Sequence, residues 1–318
     1  MRDNTVCAVV VTYNRKNLLF ECLEAIRKHT RPVDAIYIID NASTDETPEV
    51  LKENGYILEL PPFNLSEPYE IEHKISNLVN GNSINVFYVR MHENTGSAGG
   101  FYEGVKRGYE RGYDWLWLMD DDVAPHCSTL EKLFIYTAVS FCIHPTKVNI
   151  DGSPAWEHLA FQKDEFSYSF FEVDSCCFEG MLIHRELLSK TGFPDKRFFI
   201  VLDDVEFGIR VKNYTKIIYV REAKMTKLVK YNILTILGYK KREVFPHWKN
   251  YYYVRNLILL HILYPRGKYN FLHVIYRIFR KFLSVLIFGP HRLKCVRAIT
   301  LGIIDGYKGQ FGRCHWIL

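Results

Sequence analysis

At 318 residues, 48% hydrophobic and 24% charged, the chain is close to a soluble globular average, which excludes disorder, collagen and coiled coil and suggests about two domains. The net charge of +5 is uneven: residues 265–318 hold ten Lys/Arg against one acid, Asp305, leaving the body before them net acidic. An acidic body with a basic tail fits attachment to a surface better than nucleic-acid reading. Met1-Arg2-Asp3-Asn4 leads directly into a strand-like segment, with no signal peptide expected. Val6 to Thr12 is a continuous β-branched run, the pattern of a strand buried on both faces. Asn17 to His29 has helical spacing. Ala35 to Ile39 is a second buried strand ending at Asp40, and Ser43 to Asn54 a helix capped by Ser43 or Thr44. Leu60 to Asn82, rich in Pro, Asn, Ser and Glu, reads as a long insertion or lid.

Ile84 to Arg90 is a third strand, and Gly99 to Arg111 a third helix, with Gly104 and Gly108 as contrary signals. Trp115 to Met119 is a fourth strand, running into Asp120-Asp121-Asp122. Ser140 to Phe171 is irregular; helices follow at Arg185 to Lys190 and Asp203 to Asn213. Strand and helix alternate, so the expected class is α/β, a mostly parallel sheet flanked by helices. Eight cysteines without a CxxC pair, two of them adjacent (Cys176 and Cys177), read as buried inert thiols in a reducing, cytosolic compartment.

In such sheets ligands bind beyond the carboxyl ends of the strands. Asp40, the Thr12-Tyr13-Asn14 turn and the Asp120–Asp122 cluster all fall there. Closely spaced carboxylates at a strand end repel, and a divalent cation with oxygen ligands, bridging to a diphosphate, resolves the repulsion; the alternative is a solvated acidic loop. Asp40 suits a base N–H or a ribose hydroxyl, or simply a turn. His92 to Gly100 is a glycine-rich loop opening a helix, but it is neither GxGxxG nor GxxxxGK[ST], which excludes dinucleotide and P-loop readings. Asp203-Asp204-Val205-Glu206 offers a general base or ordinary charge at a helix start. His247 to Asn256 is dense in tyrosine and polar groups, suited to sugars or to packing. Phe271 to Phe288 is amphipathic, with Arg277, Arg280 and Lys281 on one face. It fits an anionic membrane surface, or a helix covering a core or an interface.

Taken together, VVVTYNR (Val9–Arg15), IIDNASTD (Ile38–Asp45), ENTGSAGG (Glu93–Gly100), WLMDDDV (Trp117–Val123) and DDVEFGIR (Asp203–Arg210) resemble, in order and spacing, glycosyltransferase family 2, inverting enzymes with the GT-A fold. HWKNYYYVRN is similar to the branch of polymer-building galactofuranosyl- and rhamnosyltransferases. The resemblance covers about Val6 to Asn256. It implies a GT-A domain over 1–225 and a C-terminal helical region over 226–318 for acceptor side and membrane association. It also implies that Thr12 and Asp40 hold the nucleoside, Asp40 through the base, with Asn94 by the ribose or diphosphate. Asp120 would face ribose and diphosphate with Asp121 beside it, and Asp122 the metal, Mn²⁺ or Mg²⁺. Asp204 would be the catalytic base and Asp203 its positioning neighbour, while Trp248, Arg255 and Asn256 match the branch-specific helix.

Many relatives place a metal-binding His about twenty residues after the base. Here Tyr219 to Lys227 has none; Lys227 would take over part of the charge neutralisation, or His247 would instead fold back to the metal. The implied reaction moves a sugar from UDP-galactofuranose, or next dTDP-rhamnose, to a lipid-linked glycan for cell-surface polysaccharide. The enzyme would be cytoplasmic and peripheral at the inner face of the cell membrane, with no nucleic-acid partner and homo-oligomerisation left open. The alternative from another class is a non-catalytic, membrane-associated nucleotide-sugar or glycan-binding protein.

Overall fold

The computed structural model describes residues 4–155, 169–229, 233–236, 239–242, 246–289 and 291–315. The chain divides into two compact units, Met1–Pro194 with Phe207–Lys230, and Asp195–Glu206 with Tyr231–Leu318. The second unit therefore begins near residue 231 rather than 226 and also takes in the segment before and at the start of the Asp203 helix.

In the first unit, β1 (Val6–Thr12), β2 (Ala35–Asp40), β4 (Ser83–Arg90) and β5 (Trp115–Asp120) form the parallel centre of a ten-stranded sheet. β1 pairs with β2 on one side (Thr12 opposite Asp40) and with β5 on the other (Val11 opposite Asp120), so the three strand ends that carry polar motifs are neighbours. The apolar run of β1 is uninterrupted because both faces are covered. Val6, Ala8 and Val10 enter one core with Trp117 and Met119, while Cys7, Val9 and Val11 enter the other with Leu116 and Leu118.

Several sequence expectations are corrected. Within Leu60 to Asn82 lies β3 (Tyr69–Ser76), an antiparallel edge strand on β4. Only Ile71 of its residues is buried, and its charged faces suit an edge. α2 (Thr47–Glu53) starts later than predicted: Glu46, at φ 63°, is its N-cap, and Ser43 and Thr44 belong to the preceding loop. α3 (Gly96–Glu110) starts earlier and runs unbroken through Gly104 and Gly108. A Cβ on Gly104 would lie 2.3 Å from Val9 Cγ1, and one on Gly100 2.5 Å from Val11 Cγ1, so these positions let the helix lie directly on β1. The region predicted as irregular contains β7 (Cys142–Asn149) and β8 (Phe170–Val173); residues 156–168 within it lie outside the described residues. The sheet is completed by β6 (Val123–Pro125), β9 (Leu182–His184), antiparallel to β5 and β7, and β10 (Ile217–Lys227), parallel to β7. The helices α1 (Lys16–Arg27), α4 (Thr129–Phe134) and α5 (Arg185–Thr191) also belong to this unit.

In the second unit, α7 (His247–Leu263) packs against α9 (Arg292–Tyr307), with α8 (Phe271–Phe288) alongside. Its core joins Val254, Leu257 and Ile258 to Val274, Val285 and Ile299. A two-stranded ribbon, β11 (Ile233–Ile236) and β12 (Tyr239–Arg242), precedes α7. α6 (Asp203–Lys212) carries the unit boundary between Glu206 and Phe207.

Candidate nucleotide-sugar and metal site

The loops after β1, β2, β4 and β5 are laced together by short polar contacts. Thr12 Oγ1 donates to Asp121 Oδ2 at 2.7 Å. Asn14, at φ 54°, donates its amide N–H to Ser43 Oγ and accepts from the Thr44 N–H at 2.6 Å. Asn41 accepts from Thr95 Oγ1 at 2.9 Å and donates to Gly96 O at 2.9 Å, and Asn94 Oδ1 accepts from the Gly96 N–H at 2.8 Å. The start of α3 is thus tied to the ends of β2 and β4.

Asp40 has an internal role in this geometry. It is fully buried, and its oxygens accept from the Ser43 N–H (2.8 Å), Tyr88 Oη (2.7 Å) and Arg90 Nη1 (2.6 Å). The Ser43 donor ties the loop after β2 back onto this carboxylate. Thr12, 1% exposed, likewise spends its hydroxyl on Asp121.

The acids after β5 form the chemical centre. Carboxylate oxygens of Asp120, Asp122 and Glu179 lie within 4.8 Å of one another. Glu179, which the sequence did not single out, completes the group. The pairing of β5 with β9 puts it there: Trp117 faces Leu182, the Leu118 N–H donates to Met181 O (2.8 Å) and the Gly180 N–H to Leu118 O (2.8 Å). The turn at Gly180 (φ 86°) then delivers Glu179 beside the end of β5. The available sequence signal was a Glu-Gly pair before the apolar run Met181-Leu182-Ile183.

Burial, then the neighbouring charges of Glu179, Asp122 and Asp121, hold the Asp120 carboxyl well above the usual range. Burial pushes Asp121 up to about 6, although Arg15 and Thr12 pull it back. Arg15 Nη1 bridges Asp121 Oδ1 (3.1 Å) and Asp122 Oδ2 (2.9 Å). Lys147 Nζ (2.6 Å) and Lys227 Nζ (3.2 Å), both buried, pair with Glu179. Asp122 Oδ1 is buried with no hydrogen-bond partner. An orphaned carboxylate oxygen among three converging carboxylates is a fit for a divalent cation with hard oxygen ligands.

The other predicted residues belong to the second unit. Asp203 is buried and Asp204 half-buried at the start of α6, where Asp204 Oδ1 accepts from the Val205 N–H at 2.7 Å. The approach to them is strained: Phe199, Val201 and Leu202 have φ of 66°, 68° and 67°. For a β-branched residue such as Val201 this is a genuine outlier. Arg255 and Asn256 are buried and hold that segment. Asn256 Nδ2 donates to the carbonyls of Phe198 (3.1 Å), Ile200 (2.9 Å) and Val201 (2.6 Å), and Arg255 Nη2 to Phe198 O (2.8 Å); both side chains are at most 1% exposed. Trp248 packs edge-on to Tyr252 (6.2 Å), and His247 is the partly exposed first residue of α7.

The chain has the GT-A fold, with polar loops and an acid cluster at the carboxyl edge of its sheet. The glycosyl transferase family 2 model matches residues 7–57, and the sequence resembles that family's galactofuranosyltransferase-like branch. It is 27% identical over 223 residues to the galactofuranosyltransferase GlfT1 of Mycolicibacterium smegmatis, a match covering 65% of each chain. It is 26% identical over 221 residues to GlfT1 of Mycobacterium tuberculosis, covering 65% of this chain and 64% of that one. The matched part is therefore just under two thirds of these relatives' length. Among solved structures it is similar to GalNAc-T7 with UDP, GalNAc and Mn²⁺ (TM-score 0.57, 14% identity, 96% of this chain and 56% of that one). It is also similar to the mannosyltransferase PcManGT of Pyrobaculum calidifontis with GDP-Man and Mn²⁺ (TM-score 0.55, 15% identity, 96% and 88%).

Proposed function

We propose that the chain is an inverting glycosyltransferase that moves a sugar from a nucleotide-sugar donor to an acceptor hydroxyl. The observation that carries this reading is the convergence of Asp120, Asp122 and Glu179 around an unpartnered, buried Asp122 Oδ1 at the ligand-binding edge of a GT-A sheet. A divalent cation held there, Mn²⁺ or Mg²⁺, would supply neutralisation of the departing diphosphate. Asp122, Asp120 and Glu179 would hold it, with Lys147 and Lys227 paired to Glu179. Arg15, 45% exposed at its side chain, can leave its two aspartates and meet donor phosphate. Asp204 is assigned the base that takes the acceptor proton as the acceptor oxygen attacks the anomeric carbon and the bond from that carbon to the phosphate oxygen breaks.

UDP-galactofuranose is the favoured donor and dTDP-rhamnose the next, supported by the likeness to the GlfT1 proteins. The acceptor in this reading is a lipid-linked glycan at the inner face of the cell membrane. No helix among the described residues is long and apolar enough to cross a membrane. α8 instead leaves Leu272 (76%), Phe279 (56%) and Ile287 (59%) exposed beside Arg280, which supports peripheral attachment to an anionic surface.

Calorimetric titration of UDP and dTDP, with and without Mn²⁺, on the wild type and Asp122→Ala tests the donor site. Metal-dependent binding of one nucleotide, lost in the variant, is expected; binding of neither would remove the central support. Attachment is tested by flotation with anionic vesicles. Leu272→Ser with Phe279→Ser should release the protein, and undiminished flotation would exclude α8 as the anchor.

A further inference from the structure

Besides the carboxylate cluster, the first unit contains three buried nitrogen and sulfur ligands that the proposed reaction does not use. We infer that Cys142, His144 and Cys176 form an interior site for a thiophilic divalent cation of the zinc type. Cys142 and His144 stand two residues apart on β7, so their side chains leave the same face of the strand. Cys176 follows β8 in a loop. Their exposures are 0%, 0% and 5%. One ligand atom from each, two sulfurs and a ring nitrogen, lies within 4.8 Å of the other two. Cys142 Sγ is 3.7 Å from His144 Nε2. In tetrahedral zinc coordination, with bonds of about 2.3 Å to sulfur and about 2.0 Å to nitrogen, ligand atoms stand roughly 3.5–3.8 Å apart, so the cluster needs little movement to close on an ion.

The surroundings keep the ligands in place. The His144 ring stacks on Tyr219 (4.7 Å, 14°), and Tyr219 on Phe171 (5.6 Å, 14°), which fixes the plane of the imidazole. A Cβ on Gly208 of α6 would stand 3.0 Å from Cys176 Sγ, so the absence of a side chain there leaves room for that sulfur. Charge also balances. Binding displaces one proton from each of two thiols, and two thiolates with a neutral imidazole cancel the two positive charges, leaving a neutral group in the core. Soft sulfur ligands separate this site from the hard oxygen cluster in metal preference. With water in the fourth tetrahedral position, the ion would tie β7 to the loop after β8.

The test uses the full chain, freed of metal by a chelator under reducing conditions and titrated with Zn²⁺ against a chromogenic chelator. In parallel, Co²⁺ serves as the spectroscopic probe. One Zn²⁺ per chain is expected, and Co²⁺ should give a thiolate-to-cobalt charge-transfer band with tetrahedral d–d bands. Cys142→Ser and Cys176→Ser should each weaken Zn²⁺ at least about tenfold. Cys127→Ser, at an exposed cysteine, and Asp122→Asn should leave the affinity unchanged. Absence of the thiolate band in the wild type would overturn the site even if the variants fail to fold. So would equal Zn²⁺ affinity in Cys142→Ser, or loss of Zn²⁺ binding in Asp122→Asn.

Discussion

The loop 120–122 of the first unit and the segment 199–204 of the second both present adjacent aspartates, but different forces hold them. In the first, carboxylates are crowded together and steadied by cations: Arg15 on Asp121 and Asp122, Lys147 and Lys227 on Glu179. In the second, three non-glycine residues at positive φ lead into Asp203 and Asp204. The neutral amide of Asn256, together with Arg255, clamps carbonyls of this segment. A charge-held loop can exchange its partners for a charged ligand. A strain-held segment is fixed before any ligand arrives. In the proposed reaction, the first would take up a metal and diphosphate and the second would carry the base.

The largest expected effect separates the two regions directly. Asp204→Asn should lower kcat by about 10²–10⁴, the usual range for a lost general base, with Mn²⁺-dependent UDP affinity unchanged. Asp122→Ala should do the reverse in binding and abolish the metal-dependent part. Stopped turnover assays beside calorimetry distinguish them; full activity in Asp204→Asn would remove the base assignment.

A smaller effect tests the clamp. Asn256→Ala strips donors from three carbonyls and should cost about 2–3 kcal/mol in urea unfolding. Val201→Gly relieves the backbone that the clamp restrains, at a position where strain is of order 1–3 kcal/mol. In that background Asn256→Ala should cost about 1 kcal/mol less. Strict additivity of the two substitutions would mean that the hydrogen bonds and the strained turn are uncoupled. If the strain aims Asp204, Val201→Gly also lowers kcat without changing UDP affinity.

What could be seen in the sequence follows the same division. β1, β2, β4 and β5 were legible because strands buried on both faces must be apolar throughout, and the acids at their ends stood out against that background. β3 was obscured by the charges an edge strand carries. β7 was obscured by His144, Pro145 and Lys147; beside it, β10 shifts register between Val220 and Lys224. Glu179 reaches the acid cluster only through antiparallel pairing, which no local spacing reveals. The roles of Arg255 and Asn256 were hidden for a related reason. Most of their partners are main-chain carbonyls more than fifty residues away in the chain, and a carbonyl leaves no mark in a sequence.

The smallest effect concerns what lies beneath the charged loop. β5, which carries the acids, is packed through Trp117 on His29 at the end of α1, edge to face at 5.1 Å. His29 is fully buried; its Nδ1 faces the carbonyls of Ala25 (3.0 Å) and Ile26 (3.3 Å), so the proton sits on Nδ1, and Nε2 has no partner. Burial lowers its pKa to about 4. The folded state therefore favours the neutral ring, whereas the unfolded chain titrates near 6.5. This contribution is complete above pH 6.5 and is lost as pH falls toward 4, by about 2 kcal/mol at pH 5. Urea unfolding of His29→Gln should lack that acid-side loss, so the wild type and the variant should diverge below pH 6.5. The comparison sharpens if the divergence is confined to the first unit, as read by amide exchange in α1 and β5 against α7 and α9 at matched pH. Parallel pH profiles would mean that His29 takes up its proton inside the fold, and that β5 does not depend on a neutral support.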